Sequence, residues 1–329
     1  MLSTQATPQA ALLHDGREKP VVVTGAGGFV GMHVCHALSK VGWRIRALVR
    51  TPEKAAARLA HLPVDLKVGD LTDAAFVRSV LDGAGAVVHL AAVAIERHSG
   101  DYHRNNADVT RLLVDAAIDA GVERFVHMSQ NGSDSASPYD FLRSKGVAQD
   151  TVAGSTLRWT ILRPSVIFGP EDAFVNVLAR LVRLSPVLYP LPGGGTSCFQ
   201  PVHVDDVATA VSIALDNDGM IGSMYPLGGP APLSLHQMAE RILLAMQAKR
   251  TIVGIPVAVL RPVIAIVQRV LPNPPVTTGL LDLLSIDNTV PENAITSAFG
   301  ITPTPFAPEE LLYLRRITAG EALRSLFTH

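Results

Sequence analysis

The sequence predicts an α/β protein: a Rossmann-type, doubly wound parallel sheet followed by a smaller C-terminal domain. Three observations predict it. Short β-branched runs alternate with segments of helical period through the first half of the chain, a glycine-rich turn joins the first such strand to the first helix, and after Gly169 the alternation gives way to a proline-dense stretch. With 329 residues, 48% of them apolar, the chain is long enough to bury a large core. Its 28 basic and 29 acidic side chains leave a net charge of −1, with no run of five basic residues, which excludes the clustered cationic surface that nucleic acids require.

Taken in order, residues 1–19 are polar and Ala-rich and read as a flexible tail, lacking the apolar run of a signal sequence and the Arg-rich, acid-poor character of a transit peptide. Strands are expected at Val21–Thr24, Ile45–Val49, Val64–Val68, Ala86–Leu90, Phe125–Met128 and Thr160–Leu162, each short and apolar as strands buried on both faces are. A helix over Asp101–Ala120 stops at Gly121, and a second runs from a Ser137-Pro138 start to Gly154. Residues 185–199, with Pro186, Pro190, Pro192 and three consecutive glycines, read as an irregular connection. The expected organisation is a tail (1–19), a dinucleotide-binding unit (20–222, with 170–198 contributing to the small domain) and a small C-terminal domain (223–329). No stretch is apolar for long enough to span a bilayer. The two cysteines, Cys35 and Cys198, are too few for a disulfide framework, which suits a reducing, cytoplasmic location.

Chemistry enters at the first strand–helix turn, Gly25-Ala26-Gly27-Gly28-Phe29-Val30-Gly31. At this spacing the first glycine makes a tight turn and the next lets the backbone approach a pyrophosphate. The last lets helix pack on strand, while the helix N-terminus supplies N–H donors. The second strand ends in Arg50, where an NAD-specific site would place a carboxylate for the ribose hydroxyls. A guanidinium there suits a 2′-phosphate, so NADP(H) is expected over NAD(H).

The glycine loop, Gly69-Asp70-Leu71, His89-Leu90-Ala91-Ala92, Leu162 to Gly169 and Val202 to Ala208 occur in this order, and together they resemble the extended and atypical short-chain dehydrogenase/reductase superfamily over about residues 20–230. Within it, Arg163 to Asp172 followed by Phe199 to Val204 is most similar to the nucleotide-binding accessory subunit of respiratory complex I and its bacterial relatives. The similarity continues through Leu227 to Pro230 and Phe299 to Pro305. The resemblance implies that Asp70 and Leu71 meet the adenine, and that Leu90, Ala91 and Ala92 line the pyrophosphate and ribose. It places Asn106, Ser129 and Lys145 toward the nicotinamide half, with the backbone from Pro164 through Val166 to Ile167 holding the carboxamide. His203 to Asp206 would fix a helix start.

The superfamily's reaction uses Tyr-x-x-x-Lys, whose two side chains share a helix face. Here the frame reads Phe141-Leu142-Arg143-Ser144-Lys145, so the tyrosine position holds phenylalanine. Tyr139, six residues from Lys145, would point about 120° away around a helix. Two readings follow. In the first, the dinucleotide is a structural or regulatory ligand gripped by Lys145, in an accessory or assembly component linked to complex I or quinone metabolism. In the second, Lys145 is itself the general acid/base of a reductase or epimerase acting on a hydrophobic molecule of quinone or isoprenoid type.

Other constellations are weaker. His33 and His36 share a helix face without a third ligand at metal spacing, and Ser129, Ser165 and Ser197 lack a nucleophile elbow, so neither a metal site nor hydrolysis is expected. Residues 251–272 are apolar apart from Arg261 and Arg269, with Pro256 and Pro262 breaking them into short helical pieces. They read either as core of the small domain or as a surface against a membrane or respiratory-complex subunits, the arginines meeting lipid phosphates at the inner face of a membrane.

Overall fold

The β-branched run Val21–Thr24 forms β1 with all four residues buried. The computed structural model describes residues 15–96, 98–272, 274 and 276–327. From β1 the chain proceeds through α1 (Phe29–Lys40), β2 (Ile45–Val49), α2 (Pro52–Leu59), β3 (Val64–Val68), α3 (Ala74–Leu81), β4 (Ala86–His89), α4 (Val109–Asp119), β5 (Arg124–Met128), α5 (Asp140–Ala153) and β6 (Trp159–Pro164). There follow β7 (Ile167–Phe168), α6 (Val175–Leu184), β8 (Leu188–Pro192), β9 (Cys198–Phe199), β10 (Val202–His203), α7 (Val204–Asp216) and β11 (Ser223–Leu227). The last elements are β12 (Leu233–Ser234), α8 (Leu235–Ala245), β13 (Thr251–Ile255), α9 (Val257–Val270), α10 (Thr278–Leu284), α11 (Ala294–Ser297) and α12 (Ala319–Arg324).

Seven strands form one parallel sheet in the order β11-β6-β5-β4-β1-β2-β3, so the winding reverses between β1 and β4, where such sheets open a crevice. Alternate residues feed two cores. Val21, Val23, Ala47 and Val88 pack with Val34 and Leu38 of α1, Leu59 of α2 and Val207 and Val211 of α7. Val22, Leu48, Val87 and Phe125 pack on the other face with Val77 of α3, Leu113 of α4 and Val152 of α5. A third core joins Leu178 and Val182 of α6, Tyr189 and Leu191 of β8, Phe199, Met238 and Ile242 of α8, and Phe306 and Leu311.

Several expectations need correction. The seventh strand, β11, lies beyond residue 222, so the large sheet extends past the boundary drawn there. Its Pro226 is tolerated because β11 is the sheet's edge and pairs with β6 alone. The supposed irregular connection contains β8, which pairs in parallel with β13, so 251–255 is a strand and not a helical piece. Pro256 caps α9, but Pro262 lies inside it and the helix continues to Val270. No residue of α9 is buried, which removes the reading of this helix as core. Arg261 pairs with Asp282 of α10.

The helix expected from Asp101 winds as a π-helical turn over His103–Asp108 before α4. The α5 helix starts at Asp140, because Ser137 Oγ accepts the Tyr139 N–H at 3.2 Å and holds Tyr139 extended (φ −90°, ψ 117°). Of the tail, residues 1–14 lie outside the described residues. Asp15–Glu18 form a 3₁₀ turn anchored by Arg17, which reaches Asp216 at 2.7 Å. Among the described residues no helix is long and apolar enough to cross a membrane.

Candidate functional site

At the C-terminal ends of β1, β2 and β4 lies a groove of about 560 Å³. Gly25, Gly27, Gly28, Phe29, Val30, Gly31, Arg50, Asp70, Leu71, Leu90, Ala91 and Ala92 all line it. The glycines are there for steric reasons. Gly25 has φ +70°, and a Cβ on it would sit 3.0 Å from the Ala91 backbone; one on Gly31 would sit 2.1 Å from the Gly25 carbonyl oxygen. Gly28 N donates to Gly25 O at 2.9 Å, closing the turn, and as the N-cap of α1 it supplies no side-chain acceptor. No acidic residue occupies the first turn, so the N-terminal amides of α1 face the groove with their positive end uncompensated. That donor set fits a pyrophosphate.

A chain of hydrogen bonds fixes the loop opposite. Thr24 Oγ1 accepts from the Leu90 and Ala91 N–H groups, both at 3.2 Å, and lies 2.8 Å from His89 Nδ1. His89 Nε2 lies 2.9 Å from Thr110 Oγ1, which donates to Asn106 O at 2.5 Å. One assignment satisfies every partner: Thr24 donates to Nδ1, and Nε2–H donates to Thr110. Burial and then the Lys145 charge push His89 down to about 3, so the imidazole is the neutral species this relay needs. The relay ties the glycine loop, the loop after β4 and the π-helical turn into one rigid wall.

At the adenosine end, Arg50 stands exposed on the rim, and among the described residues it has no hydrogen-bond or ion-pair partner. Asp70 accepts from Thr72 N and Oγ1, both at 2.9 Å, and these bonds, ahead of the nearby Arg50 charge, hold its carboxyl below the usual range. Arg58 donates to Gly27 O at 2.9 Å and pairs with Glu171, clasping α2 to the loop after β7 across the glycine turn. Glu171 has φ +71°, a conformation uncommon in non-glycine residues. Neither member of this clasp stands out in the sequence as a site residue.

The six residues expected at the nicotinamide half do not line the groove. Asn106 is saturated: its Oδ1 accepts from Val93 N (2.8 Å) and its Nδ2 donates to Val93 O (3.1 Å) and Ser144 Oγ (3.0 Å). Ser129 donates to Gln149 at 3.0 Å. Pro164 O accepts from Asn131 N at 2.9 Å and Val166 O from Val202 N at 2.9 Å, while Ile167 pairs with Val202 in β7–β10, so this backbone is largely engaged within the protein. Asn131 and Ser165 in turn bond to residues 288 and 289, stitching the C-terminal segment to the ends of β5 and β6.

Lys145 is buried, and its Nζ donates to Met128 O at 2.6 Å. Burial brings its pKa down to about 8. Beside it, His127 stacks on His89 with centroids 5.2 Å apart, and both its ring nitrogens are buried without a hydrogen-bond partner among the described residues. Burial, then the Lys145 charge, holds His127 well below its usual range. Phe141 lies edge-on to Tyr102, centroids 5.6 Å apart, and Tyr102 Oη donates to Ala94 O at 3.2 Å. Tyr102 lies outside the Tyr-x-x-x-Lys spacing, so only the folded chain brings it here. Burial raises its pKa, the opposite of what a proton-transferring tyrosine needs.

The comparisons agree with this geometry. An NAD(P)H-binding family matches residues 25–179. Over 225 residues the chain is 32% identical to NADH dehydrogenase (ubiquinone) 1 alpha subcomplex subunit 9, mitochondrial, of Arabidopsis thaliana, covering 66% of this chain and 56% of the relative. It is 34% identical over 188 residues to ceramide reductase of Caulobacter vibrioides, covering 57% and 58%. The chain thus spans less than two thirds of either curated relative. The crystal structure of UDP-glucuronic acid 4-epimerase from Bacillus cereus shares the fold, with a TM-score of 0.69 at 17% identity over 93% of this chain and 99% of that one. Residues 25–179 form an NAD(P)H-binding domain on the fold of that epimerase.

Around this domain the remaining constellations make structural contacts. His203 Nδ1 accepts from Asp205 N at 3.3 Å and caps α7, and Asp206 receives Thr304 N at 2.7 Å. His33 lies 2.6 Å from Asp205, and among the described residues no three His, Cys, Asp or Glu side chains are arranged to hold a metal. Ser165 donates to Asn288 O at 2.6 Å, and Cys35 is buried with its thiol pushed up to about 12.

Proposed function

We propose that this protein binds NADP(H) in the groove as a structural or regulatory ligand, and that it serves as an accessory or assembly component linked to respiratory complex I or quinone metabolism. The carrying observation is the Phe141–Lys145 frame. The position that would hold the proton-transferring hydroxyl carries a phenyl ring packed on Tyr102, and the hydrogen bond of Lys145 goes to a backbone carbonyl. The α1 amides would hold the pyrophosphate, Asp70 and Leu71 the adenine, and Arg50 the 2′-phosphate. The nicotinamide end would be approached by Lys145, Ser129 and Asn106 after local rearrangement. The identity to subunit 9 supports the respiratory link. The outward stripe of α9, with Arg269 at its flank, would meet a membrane or a respiratory-complex subunit, giving peripheral association at the inner face of the membrane.

A second reading is favoured by one observation, the buried Lys145 with a pKa near neutrality, at about 8. When bound, the dinucleotide supplies hydride, and Lys145 would hold or deliver the proton at the carbonyl oxygen of a hydrophobic substrate. The test is to identify nucleotide retained on purification and to follow NADPH oxidation with quinones, aldehydes and long-chain ketones. The first reading expects no turnover in the wild type and measurable turnover in Phe141→Tyr. Wild-type turnover abolished by Lys145→Ala overturns it in favour of the second.

A further inference from the structure

A second cavity, of about 210 Å³, lies between α6, β8, α9 and α10, and every side chain lining it is Phe, Val, Leu, Ile or Pro. An apolar cavity of about 150 Å³ stays dry and takes up benzene, so this one suits a short length of hydrocarbon and excludes a polar ligand. Its roof is unusual. Leu260, Ile264 and Val267 of α9 face it, yet none of the residues of α9 is buried. The adjoining stripe of the helix, about 90° round from these residues, carries Val259, Val263, Ile266 and Val270, exposed at 57%, 54%, 65% and 73%. A helix with so wide an apolar stripe and no buried residue lacks the packing partners that its inner residues would gain from a guest.

The cavity also has a direction. Leu281 and Leu284 of α10 form part of its wall, and a Cβ on Gly279, near the start of the same helix, would lie 3.8 Å from Tyr102 Oη. Gly279 is followed at once by Leu280 and Leu281, which line the cavity, so the start of α10 joins the cavity wall to the ring of Tyr102, which packs on Phe141 beside the Lys145 frame. The Arg261–Asp282 ion pair and the Thr278 N–H to Gln268 Oε1 bond (3.1 Å) hold α9 and α10 together as one hairpin.

We propose that this cavity takes the hydrocarbon tail of an amphiphile, with α10 as the wall along which the molecule runs, so that its polar end reaches the Tyr102 and Phe141 side of the dinucleotide site. The tail site stands on the cavity itself. Placing the polar end beside Lys145 rests on the dinucleotide reading above.

The test is a fluorescence titration of the full chain with cis-parinaric acid below its micellar concentration, alongside a separate NADPH titration. Saturable probe binding is expected, weakened by about tenfold or more in Val267→Phe, which fills the cavity from a helix with no buried residue and so leaves the fold intact. Ile264→Phe should act the same way, and NADPH binding should be unchanged in both. Absence of saturable probe binding, or equal affinity in the wild type and both variants, overturns the tail site. Loss of NADPH binding with probe binding retained in the wild type overturns the dinucleotide reading and leaves the tail site in place.

Discussion

Replacing Lys145 with methionine should stabilise the protein at neutral pH while impairing its function. The fall of the lysine pKa from 10.5 to about 8 corresponds to about 3 kcal/mol of preference for the neutral form in the folded state, which the protein forfeits whenever the ammonium is charged. Methionine has nearly the same length and no charge, but it leaves Met128 O without its donor, at about 1 kcal/mol or more. The net expectation is a gain of about 2 kcal/mol at pH 7. The sign follows from the titration. Below pH 8 both folded and unfolded chains carry the charge and the penalty is constant. Between about 8 and 10.5 only the unfolded chain keeps the proton, so wild-type stability rises with pH and the advantage of the variant disappears. Urea denaturation of both proteins at pH 7 and pH 10, followed by circular dichroism, reads this directly. NADPH affinity should fall by about tenfold through loss of a charged contact to the ribose. A variant less stable than wild type at pH 7, or a gain that persists unchanged at pH 10, would refute the view that this lysine is held in the core for its ligand and not for the fold.

Thr24→Val removes the hydroxyl that holds His89 and both the Leu90 and Ala91 amides, and should cost about 1–3 kcal/mol in urea melts and loosen the groove enough to weaken NADPH binding. Gly31→Ala places a methyl 2.1 Å from the Gly25 carbonyl and should abolish NADPH binding, whereas alanine at Gly83, whose Cβ would meet no neighbour within 4 Å, should leave binding intact. Asp172, buried where it caps α6, has a pKa raised to about 6. Its contribution to stability is therefore present below about pH 4 and lost as pH rises through 6, and Asp172→Asn, which keeps its acceptor oxygen, should flatten that part of the pH–stability curve.

The sheet is legible in the sequence where strands are buried on both faces, because Val21–Thr24 or Ala86–His89 can be nothing else. β11 escapes such reading because an edge strand tolerates Pro226 and carries half-exposed residues. β8 and β13 escape because parallel pairing between residues 188 and 251 leaves no local sign, and prolines in β8 mimic a loop. The glycine loop and Arg50 are legible because their constraint is local, in a turn and at a strand end. The Thr24–His89–Thr110 relay, the Arg58–Glu171 clasp and the Tyr102–Phe141 contact join residues far apart along the chain, and only the fold brings them together. The hydrogen bonds of the Asn106 side chain are hidden for a related reason. The motif suggests a ligand contact, but the π-helical turn directs its amide back onto Val93.

The central claim is that the groove at β1, β2 and β4 is an NADP(H) site whose phosphate preference resides in Arg50. Calorimetric titration of the wild type and Arg50→Ala with NADPH and with NADH tests it most directly. The account predicts one saturable site per chain, tighter for NADPH than for NADH, with about tenfold or more of that preference lost in the variant while NADH affinity stays the same. No saturable binding, or a preference for NADH that Arg50→Ala leaves unchanged, would contradict it.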